Sequence, residues 1–222
     1  MPTIALVGAG PGLGAAIARR FGNEGFSLAV ISRSPEKVQA LTDELGRQGH
    51  TSRGYAASVR DPEALVNALR QAADDLGPVE VLSYSPVPQR EFLRPVLETT
   101  AGDLSAALEF SLHGPVIAVD QVLPGMRSLG RGSVLFVNGG SAARPNPGVA
   151  GTSVAFAAES AYARILHDAL APENVHVGQL IIPGAITSGH PTHDPDVLAD
   201  GLWRMHVDRS DFRVFAEPMD VN

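Results

Sequence analysis

Short apolar runs rich in β-branched residues alternate with longer segments of helical periodicity along the whole chain. We predict strands at residues 3–7, 27–31, 51–56, 79–83, 133–137, 175–182 and 212–215, and helices at 12–23, 35–47, 61–76, 100–129, 152–170 and 194–206. Strands separated by helices of this length are typical of right-handed βαβ units. The alternation therefore predicts a parallel sheet covered by helices on both faces.

The predicted fold class is α/β, with a single Rossmann-like, doubly wound domain over residues 1–222 and about seven parallel strands. In such a sheet, ligands bind at the carboxyl ends of the strands. A Pro/Gly-rich stretch at 183–195 follows a predicted strand, so it belongs to that edge. We predict a substrate loop at about 184–210.

Composition narrows the choice of partners. The chain has a net charge of −7, 44% hydrophobic residues, no cysteine and no long basic run. These values exclude disulfides and thiolate metal sites, and they disfavour nucleic acid or an anionic membrane as a partner. Because the first residues lack the basic and apolar regions of a signal peptide, we expect a cytoplasmic protein.

A glycine-rich turn joins the first strand to the first helix. Glycines there let backbone N–H groups approach a pyrophosphate closely, and the helix dipole favours the anion. A purely structural turn is the alternative. The predicted cofactor-binding residues of this turn are Gly8, Gly10, Pro11, Gly12, Leu13 and Gly14.

The end of the second strand indicates which dinucleotide binds. An acidic residue there would hold the ribose 2′-hydroxyl of NAD, but this chain has Ser32, Arg33 and Ser34. Arginine with flanking hydroxyls suits a 2′-phosphate, so we predict NADP(H) in preference to NAD(H). A solvated surface arginine is the alternative.

The chain resembles the short-chain dehydrogenase/reductase family over nearly its full length. Gly8, Gly12 and Gly14 match the family's Thr-Gly-x-x-x-Gly-x-Gly turn, with Val7 in place of the threonine. A Pro-Gly segment also follows the sixth strand, as in the family. The resemblance implies further cofactor contacts at Ser58, Ser85, Pro183, Gly184, Ile186 and Thr187.

The resemblance fails at the family's Ser-Tyr-Lys-Asn catalytic set. Alignment places Gly139 at the serine, Thr152 at the tyrosine, Phe156 at the lysine and Ser111 at the asparagine position. Because Lys37 is the only lysine and follows no tyrosine by four residues, the Tyr-x-x-x-Lys pair is absent in any register. The missing pair lowers the pKa of a phenol so that it exchanges a proton with a carbonyl oxygen.

Three residues are candidates to replace the missing acid: Thr152, Tyr84 and His190. Tyr84 packing in the core and His190 as a solvated loop residue are the alternatives. His190 and His193 flank Pro191 in a loop rather than on one helix face, so we predict no metal site. Glu159 shares a helix face with Thr152 and Phe156, as a buried base or an interface group.

We favour an NADP(H)-binding oxidoreductase that acts on an unknown small carbonyl or hydroxyl metabolite with a non-standard proton donor. One alternative is a non-redox cyclase, dehydratase or isomerase on the same scaffold. Another is a catalytically inactive NADP(H)-binding sensor or partner, because a fold does not fix a function. The resemblance also implies a homodimer or homotetramer through helices at 103–129 and 152–170.

Overall fold

Seven parallel strands form one sheet in the computed structural model, which describes residues 1–220. The spatial order is β3-β2-β1-β4-β5-β6-β7, as the α/β prediction requires. The order reverses between β1 and β4, and ligands bind at such a switch point. The strands are β1 (Thr3–Val7), β2 (Ser27–Ser32), β3 (Ser52–Ala56), β4 (Val79–Tyr84), β5 (Gly132–Gly139), β6 (Val175–Ile182) and β7 (Arg213–Phe215).

Helices cover both faces of the sheet. They are α1 (Leu13–Asn23), α2 (Pro35–Arg47), α3 (Pro62–Leu76), α4 (Ala101–Leu108), α5 (Gly114–Leu129), α6 (Ala150–Leu170) and α7 (Pro195–Asp208). Helix α3 has a capped start, since the Asp61 side chain accepts a hydrogen bond from Ala64 N and Pro62 opens the helix. Among residues 1–220, no helix combines the length and apolar character needed to cross a membrane.

The predicted long helical region at 100–129 is helical from residue 101 onward, but a π-helical turn at Glu109–His113 separates α4 from α5. Pro115 lacks an N–H, so it cannot donate to the carbonyl of Ser111 as a regular helix requires. The Tyr84 hydroxyl instead donates to the Phe110 carbonyl over 2.6 Å. Helix α5 therefore begins as a separate helix at Gly114.

The core lies in two layers, one on each side of the sheet. All five residues of β1 are buried, as expected for a central strand between two helical layers. Helices α3, α5 and α6 contribute to one layer, and α1, α2 and α7 to the other. Fully burying one large aliphatic side chain, such as Ile17, is worth about 1.5–3 kcal/mol. This packing fixes the carboxyl ends of β1, β4, β5 and β6 around one cleft.

Candidate functional site

An open cleft of about 1140 Å³ lies at the carboxyl ends of β1, β4, β5 and β6. Its walls are mainly apolar. Ten of the predicted cofactor residues line it: Gly8, Gly10, Pro11, Gly12, Leu13, Gly14, Ser85, Pro183, Gly184 and Ile186. Residues far apart in sequence therefore meet in one groove that is long enough for an extended ligand.

The glycines of the first turn divide into two kinds. Gly8 has φ +91°, and a Cβ there would collide with the backbone of Pro86, while a Cβ on Gly14 would lie 2.7 Å from Ala9 Cα. A Cβ on Gly10 or Gly12 would meet no atom within 4 Å. The fold therefore requires glycine at Gly8 and Gly14, whereas Gly10 and Gly12 border open space in the cleft.

The open space lies against the N-terminus of α1. No side chain caps this helix, whose N-cap is Gly12. Uncapped N–H groups and the positive end of the helix dipole form a natural anion site. The residues present therefore fit the pyrophosphate of a dinucleotide.

Arg33 lies outside the cleft, just beyond the end of β2, and is exposed. With the Gln89 amide oriented so that its oxygen faces Arg33, Nη1 donates to that oxygen over 2.8 Å. Gln89 belongs to the loop after β4, so the guanidinium reaches toward a loop whose strand is separated from β2 by β1. An arginine held there faces the region in which a 2′-phosphate would extend.

The remaining predicted cofactor residues make local contacts and do not line the cleft. The Ser34 hydroxyl caps α2 by accepting from Lys37 N over 3.3 Å, and it donates to Glu36 over 2.8 Å. The Ser58 hydroxyl accepts from Arg60 N over 3.3 Å. Ser32 is half-buried at the end of β2, and Thr187 N donates to the His193 carbonyl over 3.0 Å.

Three of the four aligned catalytic positions meet in the cleft. Gly139, Thr152 and Phe156 line it, while Ser111 is buried in the π-helical turn. The Thr152 hydroxyl donates to the Val149 carbonyl over 3.1 Å. The Phe156 ring lies close to Gly139, so an apolar surface stands at the position aligned with the lysine.

Tyr84, a candidate acid, lies beneath the cleft and not in it. Its side chain is 1% exposed, and its hydroxyl is committed to the Phe110 carbonyl. Burial raises the pKa of Tyr84 well above its usual value, which keeps the phenol protonated. These observations support the alternative that Tyr84 packs in the core and holds the π-helical turn.

His190, another candidate acid, also lies away from the cleft lining. Its Nδ1 accepts from the backbone N–H groups of Thr192 and His193 over 3.3 and 3.1 Å. Its ring stacks on His193 with centroids 4.7 Å apart. The imidazole therefore organises the loop between β6 and α7.

Glu217 joins these two histidines, a convergence that sequence reasoning missed because Glu217 is distant in the chain. The three side chains place potential ligand atoms within 4.8 Å of one another, with His193 Nε2 3.7 Å from Glu217 Oε2. A metal lies in the plane of each imidazole that binds it, but these rings are stacked at 14° and their planes do not converge. The predicted lack of a metal stays a prediction that this geometry supports.

A buried polar network lies between the sheet and α6. Asn138, which lines the cleft, donates through Nδ2 to Glu159 Oε2 over 3.0 Å. Gln179 Nε2 donates to Asn138 Oδ1 over 2.7 Å, and Arg213 Nε donates to Gln179 Oε1 over 2.9 Å. The network fixes the orientation of the Asn138 amide at the cleft wall.

Glu159 itself does not line the cleft. Within residues 1–220 its Oε1 has no hydrogen-bond partner. Burial raises its pKa well above the ordinary value, which favours the neutral carboxyl group over the carboxylate. Of the two roles considered for Glu159, the structure supports a buried interface group.

The comparison with known proteins agrees with the fold and the glycine turn. The sequence profile described as short chain dehydrogenase matches residues 2–194. The chain belongs to this family. It is therefore a member of the short-chain dehydrogenase/reductase group of oxidoreductases.

Individual short-chain dehydrogenase relatives are distant. The chain is 26% identical to 2,3-dihydro-2,3-dihydroxybenzoate dehydrogenase of Bacillus subtilis (strain 168) over 182 residues, 81% of this chain and 68% of that enzyme. It spans 60% and 57% of two further curated relatives. Their activities are therefore not transferred to this short-chain dehydrogenase.

Solved structures match the short-chain dehydrogenase fold nearly end to end. A short-chain dehydrogenase from Rhodopseudomonas palustris superposes with a TM-score of 0.86 at 25% identity, covering 98% of this chain and 99% of its own. A metagenomic short-chain oxidoreductase in complex with NADP gives 0.85 at 20% identity, covering 98% and 97%. At that identity the second match shows the fold alone.

Proposed function

We propose that this protein is an NADP(H)-dependent oxidoreductase that acts on a small carbonyl or hydroxyl metabolite without the phenol–ammonium pair of its family. The observation that carries the proposal is the open cradle at Gly10 and Gly12 beside the uncapped N-terminus of α1. The cleft continues from there to Thr152 and Phe156, so one extended ligand reaches both ends.

The chain supplies binding and orientation. In the proposal, the N-terminus of α1 holds the pyrophosphate, Arg33 holds the 2′-phosphate, and Pro183 and Gly184 border the nicotinamide. When bound, the cofactor supplies or accepts a hydride. The ring of Phe156 forms part of an apolar wall beside the reacting face.

The proton has a different origin from that in the family. Among the described residues that line the cleft, none is Asp, Glu, His, Lys or Tyr. A Thr152 hydroxyl that leaves the Val149 carbonyl can donate to a substrate oxygen, but it does not ionise at neutral pH. We propose that Thr152 orients the substrate oxygen and that water completes the proton transfer, at a cost of about 10²–10⁴ in rate.

The same lack of a titratable group favours a second candidate, an NADP(H)-binding protein without turnover that acts as a sensor or partner. It does not favour a cyclase, dehydratase or isomerase, because those reactions also rely on proton transfer by a positioned side chain. The two remaining candidates differ in whether hydride leaves the cofactor.

Isotope transfer tests the redox proposal. The protein is incubated with NADPH deuterated at the hydride position and a panel of small aldehydes and ketones, and alcohol products are examined by mass spectrometry. We expect deuterium in at least one alcohol. Product without deuterium would contradict the redox proposal, and tight NADPH binding without any product would favour the sensor.

Arg33→Gln tests cofactor choice in the same assay. Loss of a charge-assisted hydrogen bond is expected to lower kcat/KM with NADPH about tenfold and to leave the value with NADH unchanged. Arg70→Gln is the matched control, since Arg70 lies on α3 and bonds only Asn67 over 3.1 Å. Equal losses with both cofactors would contradict the role of Arg33.

We further propose a homodimer or homotetramer through 103–129 and 152–170, in the cytoplasm. Exposed apolar side chains on α6 support the contact, with Val154 47% and Ile165 67% exposed. Light scattering after size exclusion measures the mass in solution, and a monomer at micromolar concentration would contradict it.

A further inference from the structure

Arg144 is the only charged side chain among the described residues that line the cleft. Sequence reasoning did not single it out, because the residue lies in a loop with no recognisable motif. It lies beyond β5, in the connection to α6 that also carries Asn146. Apolar side chains line the same cleft, among them Leu93 and Val149.

The backbone that carries Arg144 is firmly held. Arg144 N donates to the Gly140 carbonyl over 3.0 Å. Ser153 Oγ accepts from Asn146 N over 2.9 Å and donates to the Asn146 carbonyl over 3.1 Å. Pro145 and Pro147 further restrict the segment. The side chain therefore extends from a fixed base at the edge of the cleft.

Arg144 also lacks an ionic partner. Other arginines of this chain pair with carboxylates, as Arg19 does with Asp196 and Arg127 with Glu173. Within residues 1–220, the Arg144 guanidinium makes no ion pair and no hydrogen bond. An exposed, unpaired arginine that borders an apolar cleft retains its full capacity to bind an anion in two-pronged fashion.

We propose that Arg144 binds a carboxylate of the substrate, so that the substrate class is a small organic acid with an apolar body and a carbonyl or hydroxyl group. The single positive charge of one guanidinium balances the single negative charge of a carboxylate. A phosphate dianion carries two negative charges, and the described lining of the cleft offers it only one cation. The apolar walls contact the body of the acid, and Thr152 lies at the reacting end. This inference rests on the proposed oxidoreductase function for the identity of the ligand as substrate.

Binding of matched ligand pairs tests the inference independently of turnover. The probes are 3-phenylpropanoate, its primary amide and 3-phenylpropylphosphonate, together with hexanoate and hexanamide. Each is titrated into the NADPH-loaded full chain and followed by ligand-observed NMR. The proteins are wild type, Arg144→Gln and the control Arg70→Gln, which removes an equal charge outside the cleft.

We expect wild type and Arg70→Gln to bind at least one carboxylate about tenfold more tightly than its amide. Arg144→Gln should reduce this ratio to less than about twofold while keeping wild-type affinity for NADPH. A wild type without carboxylate preference, a preference that survives in Arg144→Gln, or tighter binding of the phosphonate would overturn the proposal. So would a loss of NADPH affinity in Arg144→Gln, since the arginine would then serve the cofactor.

The two proposals fail separately. If no deuterium reaches any alcohol but the carboxylate preference depends on Arg144, the anion site stands and the redox function falls. If deuterium is transferred to neutral carbonyls and acids gain nothing from Arg144, the redox function stands and the anion site falls.

Discussion

The two ends of the cleft differ in how strictly the fold dictates their residues. At the glycine-turn end, backbone conformation and close backbone contacts at Gly8 and Gly14 leave no room for a side chain. At the reaction end, Thr152 and Phe156 lie on the regular helix α6, where no residue type is required by the backbone conformation. A chain can therefore lose its catalytic pair and retain its fold, whereas changes in the turn threaten both fold and binding.

The largest effect is expected from Gly12→Val. A side chain there enters open space beside the N-terminus of α1 and occupies the region of the proposed pyrophosphate. NADPH affinity should fall at least about 100-fold, since steric exclusion removes the main phosphate contacts. Titration followed by NADPH fluorescence measures the loss, and circular dichroism checks that the variant is folded.

Gly46→Val is the control for this variant, because a Cβ on Gly46 in α2 also meets no atom within 4 Å. Its NADPH affinity should equal that of wild type. Wild-type NADPH affinity in Gly12→Val would contradict the placement of the pyrophosphate beside Gly12. It would also contradict the stated difference between the two ends of the cleft.

The next effect concerns stability. In Gly8→Ala, the new side chain must adopt a left-handed backbone conformation at φ +91°. Its Cβ would also collide with the backbone of Pro86. We expect a loss of about 2–4 kcal/mol in the free energy of unfolding, measured with urea.

Gly49→Ala separates the two causes. Gly49 has φ +88° and a Cβ there meets nothing within 4 Å, so only the conformational strain remains. Its loss should be about 1 kcal/mol. Equal losses in the two variants would show that contact with Pro86 adds nothing to the constraint at the glycine turn.

The smallest expected effect is on thermal stability, and it concerns Glu159, which is buried near the reaction end. Burial raises the pKa of Glu159 above its ordinary value. As pH rises above about 4.5, the unfolded chain releases this proton and the folded chain keeps it, so folding becomes less favourable. Glu159→Gln removes this pH dependence and retains an oxygen for Asn138.

We expect Glu159→Gln to raise Tm at pH 8 by about 2–4 °C, the equivalent of about 1 kcal/mol, and to change it less at pH 5. The comparison requires melting curves of both proteins at both pH values. The same shift at both pH values would contradict a neutral buried acid, because the effect would then be one of packing alone.

The strand and helix order was predictable because each element carries its own periodicity. The break at Glu109–His113 was not predictable, since it depends on Tyr84 contacting the Phe110 carbonyl from another strand. The glycine turn was predictable for a related reason, as it is a local motif between β1 and α1.

At the reaction end, only the absence of the family's tyrosine–lysine pair was predictable. Absence of a tyrosine–lysine pair is visible in the sequence, but what replaces it depends on which side chains converge. Arg144 enters the cleft through a loop without a motif, and Glu217 meets His193 across more than twenty residues of sequence. Tyr84 and His190 were reasonable candidates by position, but burial and loop hydrogen bonds direct them elsewhere.

Direct titration of the purified protein with NADPH and with NADH tests most directly whether the cofactor end still functions. The account predicts saturable binding of both reduced cofactors, with NADPH at least about tenfold tighter because of Arg33. Binding of neither cofactor, or tighter binding of NADH, would contradict it.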